Sequence, residues 1–247
     1  MLYARSCRLK DTAVRYQSLS EHSRAVSEMT KQTCDKIGMK DVGALESIVH
    51  DGGKSEPAWQ AYMMEDSHSE MVQHGLPGAS FTMELFKSRN SPEDERLKQM
   101  LALAVRGHHG GLHDVLRPDG ESCIPNYALT GIGADAQKRF FEEVSSRDEL
   151  DGLFAKASAE EAFNKKIRIA AKRACSDKTS YLNAYQVFRG LSERFLYAAL
   201  IDADRYDAAR WEDGRPIGDW KRMLPDWDGM AARLRQSVNA LPSSGDI

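Results

Sequence analysis

The 247-residue sequence predicts an all-α fold. Apolar residues recur every three or four positions along most of the chain, which is the period of an amphipathic helix. Alternating strand patterns are scarce, and no repeat or low-complexity segment is evident. Capping residues, acidic first turns and terminal glycines mark where the helices begin and end. We therefore expect a helical bundle.

The first predicted helix covers about 20–37, because Ser18 and Glu21 have the spacing of a capping box. A shorter helix follows in "DVGALESIVHDGG", where Gly52 and Gly53 are expected to end it. Pro77 is expected to open the next helix, through "GASFTMELFKS".

The stretch "PEDERLKQMLALAVRGHHGG" has acids in its first turn and glycines after its last, which predicts another helix. A loop rich in Gly, Pro and Asp comes next. Further helices are predicted at about 133–146, 148–175, 180–211 and 226–240. The 180–211 helix has an apolar stripe of Phe188, Leu191, Phe195 and Ala199.

Composition excludes several classes of protein. The chain has no long apolar run and no apolar segment near its start, which excludes a membrane span and indicates no secretion. The cysteines form no CxxC pair and indicate reduced thiols in a cytoplasmic protein. A net charge of -3 argues against a globally basic nucleic-acid binder. A nucleic-acid substrate is still compatible, because an active-site metal supplies local positive charge.

Histidines are the main chemical signal. Of the seven in the chain, His22, His50 and His108 fall on or at the ends of predicted helices, facing apolar stripes or Gly-rich exits. A buried imidazole needs a hydrogen bond or a metal. Asp51 stands beside His50, and either Asp202 or Asp204 is expected to face inward from an apolar helix. These residues predict a metal centre, with an ordinary hydrogen-bonded core as the alternative.

The ligand types constrain the metal. Imidazole with carboxylate and no thiolate suits Mn, Fe, Co, Ni or Zn, and also Mg if water completes its shell. Two carboxylates and up to five histidines exceed what one tetrahedral ion needs. Two ions bridged by a carboxylate would use them all.

Five segments, in the order "SLSEHSRAV", "IVHDGGK", "QHGLPGA", "RGHHGGL" and "LIDADRYD", resemble the HD nuclease of the CRISPR type I interference machinery. The opening "YARS" is similar to the Ala-x-Ser start of such proteins. The resemblance covers about residues 1–211. It implies the HD-superfamily fold, a helical bundle around two metal ions. With the ligand types above, the expected ions are divalent, and Mn, Ni, Co, Fe and Mg all remain candidates.

The resemblance implies a specific set of residues. The implied metal ligands are His22, His50, Asp51, His74, His108, His109 and Asp204. Asp51 would bridge the ions, and the implied catalytic residues are Asp51, His50 and Lys54, with Lys54 reaching a phosphate oxygen. Asp204 matches the family's Ala-Asp pair, whereas helix periodicity alone favours Asp202. Four glycines are expected to let a DNA backbone pass close to the ions: Gly52, Gly53, Gly110 and Gly111.

The predicted organisation is one HD nuclease domain over 1–247, with a core of about 1–211 and a C-terminal helix and tail over about 212–247. No GxxxxGK[ST] phosphate loop occurs, so no helicase domain is expected in this chain. The resemblance implies a single-stranded DNA endonuclease and exonuclease in the cytoplasm, with no membrane partner. Its partners would be the CRISPR type I surveillance complex and a fused or separate helicase.

Two other functions are compatible with the motifs. An HD phosphohydrolase could act on nucleotides or small phosphate esters, and a non-catalytic module could use its metal only for stability. The stripe of Lys165, Arg168 and Lys172 is either a DNA contact or a solvated face. Tyr206 and Trp211 either stack on bases or pack in the bundle. His68 and His113 are expected in surface loops.

Overall fold

The computed structural model describes residues 1–8, 14–64, 72–115, 118–119, 121–122, 124, 131–160, 168–173, 177–216 and 227–239. Within these ranges the chain is mostly helical, which confirms the predicted class. The elements in chain order are β1 (Tyr3–Arg8), β2 (Val14–Ser18), α1 (Leu19–Asp35), α2 (Lys40–Val49), α3 (Pro57–Met64), α4 (Gly75–Leu85), α5 (Pro92–Gly107), α6 (Ala134–Glu143), α7 (Arg147–Ser158), α8 (Lys178–Glu212) and α9 (Trp227–Asn239). A 3-10 turn (Gly52–Ser55) joins α2 to α3, and a helical segment covers 168–173.

The antiparallel hairpin of β1 and β2 was not predicted. Its strands have six and five residues, which is too short for a clear alternating pattern. Tertiary contacts hold it instead. The Gln60 side chain on α3 accepts from the Tyr3 N–H and donates to the Tyr3 carbonyl, both at 3.0 Å. The hairpin is therefore fixed against the body of the protein.

Several helix boundaries follow the sequence signals. Ser18 Oγ accepts from the Glu21 N–H at 3.1 Å, as the capping box predicts. Ser91 caps α5 in the same way, with the Asp94 N–H at 3.1 Å and a proline next to the cap. The prediction for α4 was wrong by two residues, because the helix begins at Gly75 with His74 as its N-cap.

The helix predicted over 148–175 was also wrong, because α7 ends at Ser158. Beyond that end, the Glu160 carboxylate accepts from the N–H groups of Asp41 and Val42 at 2.9 and 3.4 Å. Glu160 thereby satisfies free donors in the first turn of α2, and this long-range contact draws the chain out of the helix. Residues 161–167 lie outside the described part of the chain.

The core lies between α1, α2, α4, α5 and the second half of α8. Four phenylalanine rings are fully buried: Phe81, Phe86, Phe140 and Phe154. Phe81 packs edge-on against Phe140 with ring centroids 5.0 Å apart, and Phe86 lies 4.2 Å from Phe154. These contacts anchor α4 against α6 and α7, so the turn that carries His74 has a rigid base.

The stripe predicted on the long helix was partly wrong. Leu191 on α8 is 54% exposed, whereas Leu196, Leu200, Ala203 and Asp207 are buried. The buried face therefore begins later along α8 and is rotated from the predicted one. This rotation decides which aspartate of α8 faces the interior.

Glu46 on α2 is buried, and neither carboxylate oxygen has a hydrogen-bond partner among the described residues. Burial, together with the charge of Glu193 on α8, raises the pKa of Glu46 to about 8. The folded protein thus keeps a proton that the unfolded chain releases near its ordinary pKa. We expect the free energy of unfolding to fall from about pH 4.5 to about pH 8, by at most about 1.4 kcal/mol per pH unit.

Urea denaturation at pH 5, 7 and 9 measures this dependence, with Glu46→Gln as the comparison. The glutamine keeps the shape but cannot ionise, so the slope of stability against pH should be smaller in the variant. Parallel profiles for the two proteins would contradict the assignment to Glu46.

Candidate metal centre

Seven side chains predicted as metal ligands meet in one place, although they come from five helices and their ends. They form two groups, and within each group the potential ligand atoms lie within 4.8 Å of one another. The first group, named site A, is Asp51, His74, His108 and His109. The second group, named site B, is His22, His50 and Asp204. The structure therefore brings all seven together, while their role as ligands stays a prediction.

Asp51 lies between the two groups, with one carboxylate oxygen toward each. Its Oδ1 is 3.4 Å from His74 Nε2 and 3.4 Å from His108 Nε2. Its Oδ2 is 3.3 Å from His22 Nε2 and 3.4 Å from His50 Nε2. A carboxylate shared in this way is the arrangement that bridges two cations.

Backbone carbonyls set the tautomers of two histidines. His50 Nδ1 is 2.6 Å from the Ser47 carbonyl, and His108 Nδ1 is 2.6 Å from the Val105 carbonyl. A carbonyl can only accept, so each Nδ1 carries the proton and each Nε2 presents a lone pair to the centre. Among the described residues, His50 Nε2, His108 Nε2 and Asp51 Oδ1 are buried without a hydrogen-bond partner.

These unpartnered atoms are costly without a ligand, because buried polar groups are normally satisfied. They are also of the types that coordinate divalent transition metals. The residues present thus fit a metal ion at each site.

The protonation states favour cation binding at site A. Burial lowers the pKa of His74 to about 4 and that of His109 to about 3, so both rings are neutral at pH 7. Burial opposes the charge of Asp51, but His50 and Lys54 hold the pKa of that carboxyl well below its usual range. Neutral imidazole and ionised carboxylate are the forms that bind metal.

Site B includes one histidine, His22, whose pKa is raised and not lowered. Burial lowers the pKa of His22, but hydrogen bonds to Asp204, Asp207 and Asp51 outweigh it and raise the value to about 9. Burial likewise lowers the pKa of His50, to about 4. The metal-free site B is therefore anionic enough to hold a proton on His22, and a metal ion would replace that proton.

The structure places Asp204, and not Asp202, in the centre. Asp204 Oδ1 lies 3.2 Å from His22 Nε2, whereas Asp202 is exposed. The periodicity of the predicted stripe favoured Asp202 because that stripe included the exposed Leu191. The rotated face of α8 explains the difference.

Asp207 is a site residue that the sequence reading missed. It is fully buried, and its Oδ2 is 2.7 Å from His22 Nδ1 and accepts from Gln17 Nε2 at 2.8 Å. Its Oδ1 pairs with Arg210 at 2.5 Å. The carboxylate thus orients His22 so that Nε2 points at the centre. The spacing Asp204-x-x-Asp207, which puts both on one helix face, was the available signal.

We expect Asp207→Asn to weaken metal binding about 10- to 100-fold, because a neutral amide holds the His22 ring less firmly. Calorimetric titration with MnCl2 measures this. Glu212→Gln, an exposed change on the same helix, should leave the affinity as it is. Equal affinity in Asp207→Asn and the wild type would show that Asp207 does not position His22.

Lys54 is beside the centre but is not free in this structure. Its Nζ lies 2.7 Å from Asp51 Oδ2 and 5.2 Å from the centre of the Trp59 ring. Lys54 and Trp59 also line an open cleft of 430 Å³ above the histidines, together with Arg5, His74, His109 and Arg205. The predicted phosphate contact of Lys54 stays a prediction.

Gly52 and Gly53 allow close packing inside the protein, whereas they were expected from the sequence to make room for a DNA backbone. A Cβ on Gly52 would lie 2.6 Å from the Phe81 ring, and one on Gly53 would lie 2.1 Å from the His74 carbonyl oxygen. Both glycines therefore let the 3-10 turn pack on α4 inside the protein. Gly110 and Gly111 have nothing within 4 Å of such a Cβ, which is compatible with open space for a substrate.

Four other predicted residues that the structure describes belong to neither site: Trp211, His113, Arg168 and Lys172. Trp211 is buried, and the Arg15 guanidinium lies 4.3 Å from its ring centre, so it packs in the bundle. His113 is exposed, as expected for a surface residue. Arg168 and Lys172 are also exposed, and this is compatible both with a DNA contact and with a solvated helix face. His68 and Lys165 lie outside the described residues.

The fold and the site together define a helical protein with a buried histidine–aspartate centre suited to divalent metal. Comparison with solved structures finds a likeness to "The CRISPR-associated Cas3 HD domain protein MJ0384 from Methanocaldococcus jannaschii". The TM-score is 0.37 with 16% sequence identity, over 76% of this chain and 95% of that chain. The likeness is distant, and the metal centre is inferred from the side chains of this protein alone.

No family model matches the chain, and no curated protein matches it either. In the described part of the chain, no helix is both long enough and apolar enough to span a membrane.

Proposed function

We propose that this protein is a metal-dependent nuclease that hydrolyses phosphodiester bonds in single-stranded DNA, with both endonucleolytic and exonucleolytic activity. The observation that carries the proposal is the position of Asp51. Its two oxygens are divided between two histidine groups at the base of an open cleft. This arrangement suits phosphodiester hydrolysis, in which the attacking and the leaving oxygen both need a cation.

When bound, a pair of divalent ions supplies Lewis acidity and a water of lowered pKa. The chain's own residues do the rest. Asp51 holds the two sites in a fixed relation, and the carbonyls of Ser47 and Val105 keep His50 and His108 in the tautomer that presents Nε2. Lys54, at the wall of the cleft, is positioned to meet the charge that develops on a phosphate.

A polyanionic substrate is supported by the lining of the cleft. Three cationic side chains line it against the single carboxylate of Asp204, so the lining of the cleft carries a net positive charge: Arg5, Lys54 and Arg205. A single strand has a flexible backbone that can enter such a cleft, whereas a duplex presents its phosphates on a rigid rod. The resemblance of the motifs to CRISPR type I HD nucleases supports a role in degrading foreign DNA. We infer that a helicase, fused or separate, delivers the strand, with the CRISPR type I surveillance complex as the partner assembly.

Cleavage of circular single-stranded DNA by the purified protein tests this proposal. The reaction is run with EDTA and then with Mg, Mn, Co and Ni added singly. Circles have no ends, so their cutting requires endonuclease activity, and subsequent shortening of the linear product measures exonuclease activity. We expect cutting that depends on the metal and disappears with EDTA.

Nucleotides and small phosphate esters are assayed in parallel. Intact circles under every metal, with turnover of free nucleotides, would replace the nuclease with a nucleotide phosphohydrolase. Tight metal binding that raises the melting temperature, without hydrolysis of either class, would indicate a metal-stabilised docking module.

A further inference from the structure

The guanidinium of Arg5, on β1, contacts ligand atoms of site B. Arg5 Nη2 lies 3.2 Å from Asp204 Oδ1, a potential ligand atom of site B. It is also almost equally far from both ring nitrogens of His22, 3.1 Å from Nε2 and 3.2 Å from Nδ1, so it lies over the face of that ring. We propose that Arg5 competes with a divalent cation for Asp204. Site A then binds its ion first, and site B binds a second ion only when Arg5 withdraws.

The distances make the two cations alternatives. A transition-metal ion bound to imidazole or carboxylate lies about 2.0–2.2 Å from the ligand atom. An ion on His22 Nε2 would thus be no more than about 5 Å from Arg5 Nη2, and both cations would share Asp204 Oδ1. Repulsion at this separation is strong in a partly buried site, where water screens little. The ion therefore displaces the guanidinium or binds weakly beside it.

The competition affects one site more than the other. Lys54 Nζ also approaches the centre on this side, at 2.7 Å from Asp51 Oδ2, the oxygen directed toward site B. Among the described residues, no lysine or arginine pairs with Asp51 Oδ1 or with a histidine of site A. The guanidinium of Arg5 thus opposes an ion at site B, whereas Lys54 pairs with Asp51, which faces both sites, and so does not distinguish them.

Withdrawal of Arg5 requires movement of the side chain only. The backbone of β1 is held by Gln60 at Tyr3, and by the Leu19 N–H, which donates to the Leu2 carbonyl at 2.8 Å. The Arg5 side chain, however, also lines the 430 Å³ cleft. The guanidinium can therefore rotate from the ligand atoms into the cleft while the hairpin stays in place.

Titration of the metal-free protein with MnCl2 by calorimetry tests this inference. It rests on the proposed function only through the metal centre that both require, so DNA is left out of the experiment. We expect the wild type to bind one ion tightly and a second at least about tenfold more weakly. In Arg5→Met, which removes the charge but keeps an apolar stem, the second ion should bind at least about tenfold more tightly than in the wild type.

Two comparisons separate competition from a general effect of charge or packing. Arg205→Met removes an arginine from the same cleft but not from site B, and its second ion should bind as in the wild type. In an Asp204→Asn background, Arg5→Met should give no gain, because the carboxylate that the two cations share is gone. Arg5→Gln has the same expected result as Arg5→Met and replaces it if the methionine variant does not fold.

An unchanged or weaker second ion in the Arg5 variants would overturn the inference, as would two equal ions in the wild type. In both cases metal-dependent cleavage of DNA by the same preparation would leave the proposed function intact. If none of these proteins binds manganese, both the inference about Arg5 and the proposed function are overturned.

Discussion

Replacing Asp51 with asparagine is expected to abolish hydrolysis, with a loss of at least about 10³-fold. The variant keeps the shape of the side chain but removes the charge that faces both groups of histidines. Without that charge site A has no carboxylate, site B retains only Asp204, and a bridging position no longer exists. Metal affinity should fall at both sites, by more than the 10- to 100-fold typical of residues that only orient a ligand.

The measurements are cleavage of circular single-stranded DNA and calorimetric titration with MnCl2. Asp202→Asn is the matched control, since it makes the same chemical change on an exposed aspartate of α8. We expect it to cut DNA and bind metal as the wild type does. Full activity in Asp51→Asn would show that the hydrolysis comes from elsewhere. A loss in Asp202→Asn as large as in Asp51→Asn would contradict the geometry of α8.

Replacing Gly53 with alanine is expected to give the largest loss of stability, about 3 kcal/mol or more, at the upper end of the cost of overpacking. The new Cβ would lie 2.1 Å from the His74 carbonyl oxygen and 2.9 Å from the Gly78 nitrogen. Both are backbone atoms at the start of α4, so no side-chain rotation relieves the contact. The 3-10 turn must move away from α4, and His74 moves away from Asp51.

Urea denaturation with and without MnCl2 measures both consequences: a lower midpoint and a smaller stabilisation by the metal. Gly110→Ala is the control, because a Cβ there has nothing within 4 Å. It should change stability by no more than about 0.5 kcal/mol. A Gly53→Ala protein with wild-type midpoint and metal response would show that the close approach of the turn to α4 is wrong.

Local signals in the sequence predicted those parts of the fold that depend on neighbouring residues. The cap at Ser18 and the start of α5 depend on contacts three residues apart, and both appear as predicted. The hairpin was not predicted, because Gln60 holds it from a distant position in the chain. The early end of α7 follows from the contact of Glu160 with α2, which no local pattern reveals.

His22, His50 and His108 were identifiable from their places on predicted helices, with Asp51 beside His50, whereas His74 and His109 were assigned only from the resemblance to HD nucleases. Asp207 and Arg5 were not identified, although both contact His22. An arginine in a short strand and an aspartate in a long helix are ordinary surface residues by composition. Only their position relative to His22 makes them part of the centre.

The sequence by itself determined the helical class, the types of side chain available for a metal, and the tight turn after Asp51. Local periodicity and residue chemistry are sufficient for these. The tertiary structure decided which face of α8 is buried, and it places Asp204 in the centre, as the resemblance implied and helix periodicity did not. It also decided the pairing of Asp207 with His22 and the approach of Arg5 to site B. These contacts join residues that are more than a dozen positions apart, and for Asp207 and His22 the separation is 185. Such residues are brought together by the packing of the whole chain and not by a local preference.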